Sequence, residues 1–209
     1  MTADHIDIRP SVLYVGTPVM LIASVNADGS PNLAPASSYW ALGWMLVLGL
    51  ENDGQTIRNV RERPELTVSF PSPALWPAVE AIADTTGMAE VPPTKAARHR
   101  HVADKFAAAG LTPQASQHVA PPRVAECALQ LEARVLRVTD GLGDYAIVEA
   151  EVQAVHADPA IVAPGTDHID PQRWEPTIYS FRHYFGIGAE HGHRPTSDTA
   201  VRPVPESLR

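Results

Sequence analysis

The stretch that decides the fold is residues 19–40, VMLIASVNADGSPNLAPASSYW. Its first half is an apolar, β-branched run of strand length, and the Asp-Gly pair that follows is typical of a tight hairpin turn. The return half, residues 31–40, carries two prolines and small polar residues instead of a simple apolar/polar alternation. Because proline cannot donate to a β-ladder, we expect this return strand to lie at a sheet edge with open backbone groups.

The rest of the chain contains further strand patterns joined by turn signals. The apolar alternation in the long pair near the C-terminus predicts an antiparallel hairpin with one face in the core. The expected elements are strands at 43–50, 65–71, 126–138 and 145–157, and a short helix at 56–64 capped by Thr56. Strands that follow one another through hairpins indicate a mainly β fold, an antiparallel barrel or sandwich with peripheral helices.

The length of 209 residues suggests a single domain, which we place at residues 1–190. Residues 72–123 read as a helical, proline-containing insertion, whose clearest helix is expected at 94–110, from Thr94 to Gly110. The tail at 191–209 has few core-forming residues, and we expect it to be flexible.

Composition excludes several classes of function. The net charge of −8 argues against a nucleic-acid partner, which usually requires a basic patch. Cys127 is the only cysteine, so neither an intrachain disulfide nor a thiolate metal cluster is expected. The N-terminus lacks the apolar segment of a signal peptide, and the longest apolar run is too short to span a bilayer. These features favour a soluble cytoplasmic protein with no membrane contact and a small-molecule ligand.

Motifs of several enzyme classes are missing. The chain has no GxGxxG and no Walker A sequence, so a Rossmann or P-loop nucleotide site has no support. Nine histidines are present, but their spacing forces no metal site, and only His183, in a strand-like segment, stays open as a functional candidate. Ser37 and Ser38 do not lie in a GxSxG elbow and have no apparent base.

Residues 31–40 do suggest a ligand site. Open backbone groups at 33–37 suit the edge of a polar heterocycle, and the two serine hydroxyls suit a phosphate. Thr56 and Asn59 lie three apart, hence on one face at the start of a helix, where unpaired N–H groups favour anions. Arg58 or Arg61 is a candidate to neutralise the charge. An irregular edge strand beside a capped helix explains the same residues, and the sequence leaves both interpretations open.

Three segments resemble one known family. The segments PVMLIASVNADGSPNLAPASSYW (18–40), NDGQTIRNVRERPELTVSF (52–70) and ECALQLEARVLRV (126–138) are similar, in order and spacing, to the flavin reductase-like family of the FMN-binding split-barrel superfamily. The resemblance runs from about residue 15 to 155. The sequence departs from the family pattern at Gln55, at Ala128 and at Ser69, where an acidic residue, a proline and an asparagine are common.

The resemblance implies an antiparallel split β-barrel that forms a homodimer, with FMN in a groove near the dimer interface. Transferred by position, one group of residues lines the isoalloxazine and ribityl chain, and the rest approach the ribityl or hold the phosphate. The first group is Asn32, Leu33, Ala34 and Pro35, and the second is Ser37, Ser38, Thr56 and Asn59.

The resemblance also implies an activity, hydride transfer from NADH or NADPH to FMN, with a monooxygenase as a possible partner. His183 or Tyr184 would contribute if their segment folds over the barrel. Two alternatives stay open, because one scaffold can host several functions. One is an FMN-binding protein without reductase turnover, and the other is a flavoenzyme that acts on a dedicated organic substrate.

Overall fold

In a computed structural model of the protein, which describes residues 5–192 and 194, the chain is built mainly from β-strands. The strands are β1 (Val15–Pro18), β2 (Met20–Val25), β3 (Pro31–Ala36), β4 (Tyr39–Leu42), β5 (Met45–Glu51), β6 (Glu65–Phe70), β7 (Thr85–Thr86), β8 (Arg100–His101), β9 (Pro113–Gln114), β10 (Arg123–Val124), β11 (Leu129–Asp140), β12 (Tyr145–Ala157), β13 (Ile178–Ser180) and β14 (His183–Phe185). The helices are α1 (Gln55–Glu62), α2 (Trp76–Ala83) and α3 (Lys105–Ala109), with single 3-10 turns at Pro73–Leu75 and Pro159–Ile161. The predicted flexible tail lies, apart from its first residues, outside the described residues.

Seven strands form the main sheet in the order β3-β2-β6-β11-β12-β5-β4, and all of its pairs are antiparallel. The predicted β2–β3 hairpin is confirmed, and Gly29 in its turn adopts a φ of 85°, which favours glycine. The predicted strand at 145–157 is confirmed as β12, and its partner β11 begins at Leu129 rather than at residue 126.

The predicted return strand 31–40 is in fact two strands at opposite edges of this sheet. β3 ends at Ala36 and β4 begins at Tyr39, and only two residues join them. Two residues span about 10 Å at most, so the sheet curls until its edges come close. No ladder joins β3 to β4 in the described part of the chain, so the sheet is open rather than closed into a barrel. Ser37 and Ser38 belong to neither strand and connect the end of β3 to the start of β4.

The main sheet is buried on both faces around β2. Met20 and Ile22 point into one core with the apolar residues of β5, β6, β11 and β12, and the first turns of α1 cover its end. Leu21 and Ala23 point into a second core, which α2 and α3 cover. The 72–123 insertion therefore supplies the layer that packs on the outer face of β2 and β3.

The helix predicted at 94–110 is mostly wrong. Only Lys105–Ala109 is helical, and its N-cap is Asp104, whose side chain accepts a hydrogen bond from the Ala107 N–H. The hydroxyl of Thr94, the predicted cap, instead donates to Asp53 in the turn between β5 and α1. The predicted end at Gly110 is confirmed, with a φ of 65°.

Strand β11 also differs from its prediction as a strand with one polar, exposed face. Gln130 and Glu132 lie on that face, yet they are 5% and 0% exposed because residues 113–124 cover them. The Glu132 carboxylate accepts hydrogen bonds from the N–H groups of Gln117 and His118. Sequence alternation cannot show a loop that folds back over a strand. Among the described residues, no helix has the length and apolar character needed to cross a membrane.

Candidate functional site

The start of α1 meets β3 through side-chain hydrogen bonds. Asn32 Nδ2 donates to Thr56 Oγ1 at 3.0 Å, so the two predicted halves of the site are in direct contact. Asn59 Nδ2 donates to Ser24 Oγ at 3.0 Å and to Asn26 Oδ1 at 2.9 Å, and its Oδ1 accepts from Gln55 Nε2 at 2.7 Å. A polar network therefore fixes α1 against β2 and β3.

Thr56 does not cap α1, contrary to the prediction. The N-cap is Gly54, and no side chain caps it. The Thr56 hydroxyl accepts the bond from Asn32 instead. Without a capping side chain, the first N–H groups of α1 remain open to an anionic ligand.

The predicted site residues fall into two groups by exposure. The side chains of the polar network are buried, since Asn32, Thr56 and Asn59 are 2%, 6% and 0% exposed. Leu33 is buried too, in the second core under α2 and α3. The others, Ala34, Pro35, Ser37 and Ser38, are partly exposed along the end of β3 and the crossing to β4. The partly exposed residues can contact a ligand directly, whereas the buried residues support them from behind.

Strand β3 has an open side, as predicted. In the described residues its only ladder partner is β2. Pro31 and Pro35 lie four positions apart and so share one orientation, and the ladder keeps most of its bonds only if both face away from β2. Leu33 has the same orientation but is 0% exposed, so a flat heterocycle can reach this edge at the partly exposed Ala34 and Pro35.

The crossing between β3 and β4 is held from both sides. Ser38 Oγ lies 2.9 Å from the Tyr14 hydroxyl, and the Ser38 carbonyl accepts the Gly49 N–H at 3.1 Å. A Cβ at Gly49 would lie 2.9 Å from Ser38 Cβ, so only glycine lets β5 approach this closely. The Ser37 hydroxyl makes no side-chain hydrogen bond within the described chain and is available to a ligand.

Charged side chains surround the first turn of α1. Lys95 Nζ lies 2.7 Å from Glu51 and 2.8 Å from Asp53, and it would lie 3.8 Å from a Cβ at Gly54. Burial opposes the charge of Lys95, but its two carboxylate partners hold its pKa above the usual value. Burial likewise opposes the charge of Asp53, and hydrogen bonds from Lys95 and Thr94 lower its pKa.

A glycine outside the predicted site, Gly87, packs against the buried polar network. A Cβ at Gly87 would lie 2.5 Å from Asn32 Oδ1 and 3.0 Å from Gln55 Cγ. Asn32 Oδ1 is buried and has no hydrogen-bond partner among the described residues. Gly87 and Lys95 belong to the insertion, and no local signal in the sequence connects that loop to α1.

The other predicted groups are exposed or already paired. Arg58 is exposed on α1, and Arg61 pairs with Asp140 at 2.6 Å, which balances its charge. His183 is exposed on β14. Its neighbour Tyr184 stacks on Trp76 and donates to Glu80 at 2.5 Å, which gives that tyrosine a packing role.

The geometry fits a flavin phosphate ester. The open edge of β3 offers backbone groups to a ring, Ser37 offers a free hydroxyl, and the uncapped start of α1 favours an anion. The orphaned Asn32 Oδ1 is the kind of buried polar atom that a ligand or water satisfies. Among the described residues, no three His, Cys, Asp or Glu side chains are grouped to hold a metal ion.

The family model for the flavin reductase like domain matches residues 12–188. The chain belongs to the flavin reductase-like family. A curated relative, the uncharacterized protein YdfE of Bacillus subtilis (strain 168), is 39% identical over 196 residues, which are 92% of this chain and 94% of the relative. The expected membership of the family is thereby confirmed.

Solved structures share the fold of this flavin reductase-like protein. The flavoredoxin of Desulfovibrio vulgaris (Miyazaki F) superposes with a TM-score of 0.76 at 21% identity, covering 94% of this chain and 99% of its own. Component B of nitrilotriacetate monooxygenase from Bacillus cereus gives 0.70 at 19%, covering 90% and 98%. The NADH:FAD oxidoreductase SgcE6 of Streptomyces globisporus C-1027 gives 0.62 at 18%, covering 83% and 87%.

Proposed function

We propose that this flavin reductase-like protein is an FMN-dependent oxidoreductase that uses NADH or NADPH to reduce its bound flavin. The observation that carries the proposal is the 3.0 Å bond from Asn32 to Thr56, which joins the open β3 edge to the uncapped start of α1. If the flavin ring lies on the β3 edge and its phosphate at the start of α1, these two elements must keep a fixed distance and orientation, which this bond helps to maintain.

The chain supplies binding, orientation and electrostatics, and the flavin, when bound, supplies the hydride-accepting chemistry. The partly exposed Ala34 and Pro35 form a flat surface for the ring, and buried Leu33 packs behind them. Ser37 and the first N–H groups of α1 bind the polar tail. Buried Asn32, Thr56 and Asn59 keep these elements from shifting, which preorganises the site.

A flavoprotein without reductase turnover is the second candidate. The similarity to a flavoredoxin, with the highest TM-score of the three structures above, favours it. His183, exposed on β14, stays a proposed contributor only. A flavoenzyme with a dedicated organic substrate would need an acceptor pocket beside the same edge.

We also propose that the protein is a homodimer. Trp40, Leu42 and Trp44 are 48%, 68% and 62% exposed on β4 and the turn that follows. Ile147 and Tyr145 continue this apolar surface on the outer side of β12, which pairs with β5. A patch of this kind usually marks an interface. It lies next to the Ser38 crossing, because Ile147 pairs with Gly49 and the Gly49 N–H donates to the Ser38 carbonyl.

Two further proposals concern the partner and the location of the protein. The likeness to a monooxygenase component B supports a monooxygenase as a further partner. Buried, unpaired Cys127 suits the cytoplasm.

Flavin binding and turnover are tested in two steps. The purified protein is titrated with FMN and with FAD, and the loaded protein is then assayed for oxidation of NADH and of NADPH. We expect saturable FMN binding and nicotinamide oxidation that depends on added flavin. Flavin binding without oxidation would favour the flavoprotein without turnover, and a protein that takes up no flavin would overturn both.

A matched pair of variants tests the ring surface. Ala34→Trp should block flavin uptake because it fills the open edge of β3. Leu136→Trp, at an exposed position of β11, adds a side chain of the same size and should bind flavin as the wild type does. Unchanged flavin content in the Ala34→Trp variant would contradict the placement of the ring.

A further inference from the structure

A cavity lies at the start of β11, away from the proposed flavin site. It has a volume of about 300 Å³ and is lined by the loop before β11 and by the end of β12. This volume is at the lower end of the range of about 300–1,000 Å³ that small-molecule sites occupy. Strands β2 and β6 separate β11 from β3 in the sheet, so the cavity is distinct from the β3 edge. The segment ECALQLE (126–132), which has no part in the proposed flavin site, lines it through Glu126, Cys127 and Gln130.

The inner end of this cavity holds the guanidinium of Arg123, which is 7% exposed. Its Nη1 donates to Gln130 Oε1 at 2.7 Å, and its Nη2 donates to the Ala115 carbonyl at 2.8 Å. Each of these nitrogens carries two N–H groups, so each keeps one donor without a partner in the described chain. The one carboxylate within 4.0 Å of Arg123 among the described residues is Glu132, whose Oε1 lies 3.5 Å from Nε without forming a hydrogen bond. The protein therefore neutralises the charge of Arg123 only in part.

Glu132 cannot pair more closely with Arg123, because other donors already occupy its carboxylate. Its oxygens accept the N–H groups of Gln117 and His118, and Oε1 also lies 2.7 Å from His156 Nε2. Since a carboxylate only accepts, Nε2 is the donor of this bond. His156 also lines the cavity, and its Nδ1 makes no hydrogen bond within the described chain. Two basic side chains thus share one carboxylate here, and their unused groups suit a second carboxylate, that of a ligand.

The outer part of the cavity has the opposite charge. Glu126 and Asp158 line it and are exposed, and neither lies within 4.0 Å of a basic side chain in the part of the chain that the structure describes. Glu126 accepts the Thr112 N–H and Asp158 accepts the Ala160 N–H, which holds both carboxylates in place. These two carboxylates repel a ligand that is only negative and attract one that also carries an ammonium group.

We propose that this cavity binds a free amino acid, with the ligand carboxylate at Arg123 and the ligand ammonium group at Glu126 and Asp158. Its positive inner end and negative outer part match the two charges of such a zwitterion. The cavity is a second ligand site, and the inference does not rest on the proposed flavin function, because none of the lining residues belongs to β3 or α1.

The test is calorimetric titration of the full-length protein with each of the standard L-amino acids. The amino acid that binds best is then compared with the acid that lacks its ammonium group and with the amine that lacks its carboxylate, which for alanine are propionate and ethylamine. The amine should bind about ten- to hundredfold more weakly, because it loses the charged hydrogen bonds to buried Arg123. The acid should bind about tenfold more weakly, because it loses the attraction of two exposed carboxylates. If no amino acid binds at millimolar concentration, the proposal is overturned and the charged cluster is purely structural.

Variants show whether the amino acid occupies this cavity. Glu126→Gln and Asp158→Asn each remove one charge but keep an acceptor for the local N–H group, and each should weaken the amino acid about three- to tenfold without weakening the acid analogue. Arg123→Lys keeps the charge but loses the paired Nη donors, so it should weaken both ligands. Asp144→Asn removes the same charge at the opposite end of the β11–β12 hairpin and should change neither affinity.

The rim variants also decide the outcome if Arg123→Lys does not fold. An amino acid that binds Glu126→Gln and Asp158→Asn as tightly as the wild type would lie elsewhere, and the proposal would be overturned. An acid analogue that binds as tightly as its amino acid would likewise overturn the role of the two carboxylates.

Discussion

Replacing Gly87 by alanine tests the close contact between the insertion and the polar network. The new Cβ would lie 2.5 Å from Asn32 Oδ1, so the segment has to move by about 0.9 Å to reach ordinary contact. Overpacking of a buried site costs about 1–3 kcal/mol. The backbone of Gly87 is not left-handed, so alanine also gains about 0.4–1 kcal/mol by restricting the unfolded chain. We expect a net loss of about 0.5–2 kcal/mol in the free energy of unfolding.

The assay is urea unfolding of the Gly87→Ala variant, followed by FMN titration. Gly188→Ala is the matched control, because nothing lies within 4 Å of its Cβ position and its φ permits alanine. The control should be as stable as the wild type or slightly more stable. The Gly87 variant should also bind FMN more weakly, because Asn32 is displaced. A Gly87→Ala protein with wild-type stability and FMN affinity would refute the reasoning.

Three further predictions concern other parts of the molecule. Asn59→Ala leaves several buried partners unsatisfied and should lower the free energy of unfolding by about 2–4 kcal/mol, measured with urea; an unchanged midpoint would contradict the network. Trp40→Glu should give monomers in sedimentation at micromolar concentration while the chain stays folded, and a dimeric variant would place the interface elsewhere. Burial raises the pKa of Glu132, but hydrogen bonds, led by those from the Gln117 and His118 N–H groups, bring it below the usual value. This stabilisation is complete above the pKa of the unfolded chain and is lost as the pH falls through the folded value, so Glu132→Gln should flatten the acid side of the stability profile; an equally steep profile would contradict it.

The local patterns of the sequence predict the strands well. The Asp-Gly turn predicts the β2–β3 hairpin, and apolar alternation predicts β12 with its observed ends, because both depend on neighbouring residues. The prolines of β3 also predict its edge position. What the pattern could not show is that Ser37 and Ser38 carry the chain to the opposite edge, since that depends on how the whole sheet curls.

The site was predicted in part, for the same reason. Spacing alone places Thr56 and Asn59 on one face of a helix, and the structure brings both to Asn32 and Ser24. Spacing does not reveal burial, so it could not separate the buried supporting residues from those that touch a ligand. The contacts of Gly87 and Lys95 with the start of α1 depend on the course of a long insertion, which no local pattern indicates, and a helix was wrongly expected there at 94–110.

A crystal structure of the protein grown with FMN tests the central claim most directly. We predict that the flavin rings lie along the open edge of β3, beside Ala34 and Pro35, with the phosphate at the first turn of α1. Flavin bound elsewhere on the chain, with that edge and that turn left free, would contradict the claim.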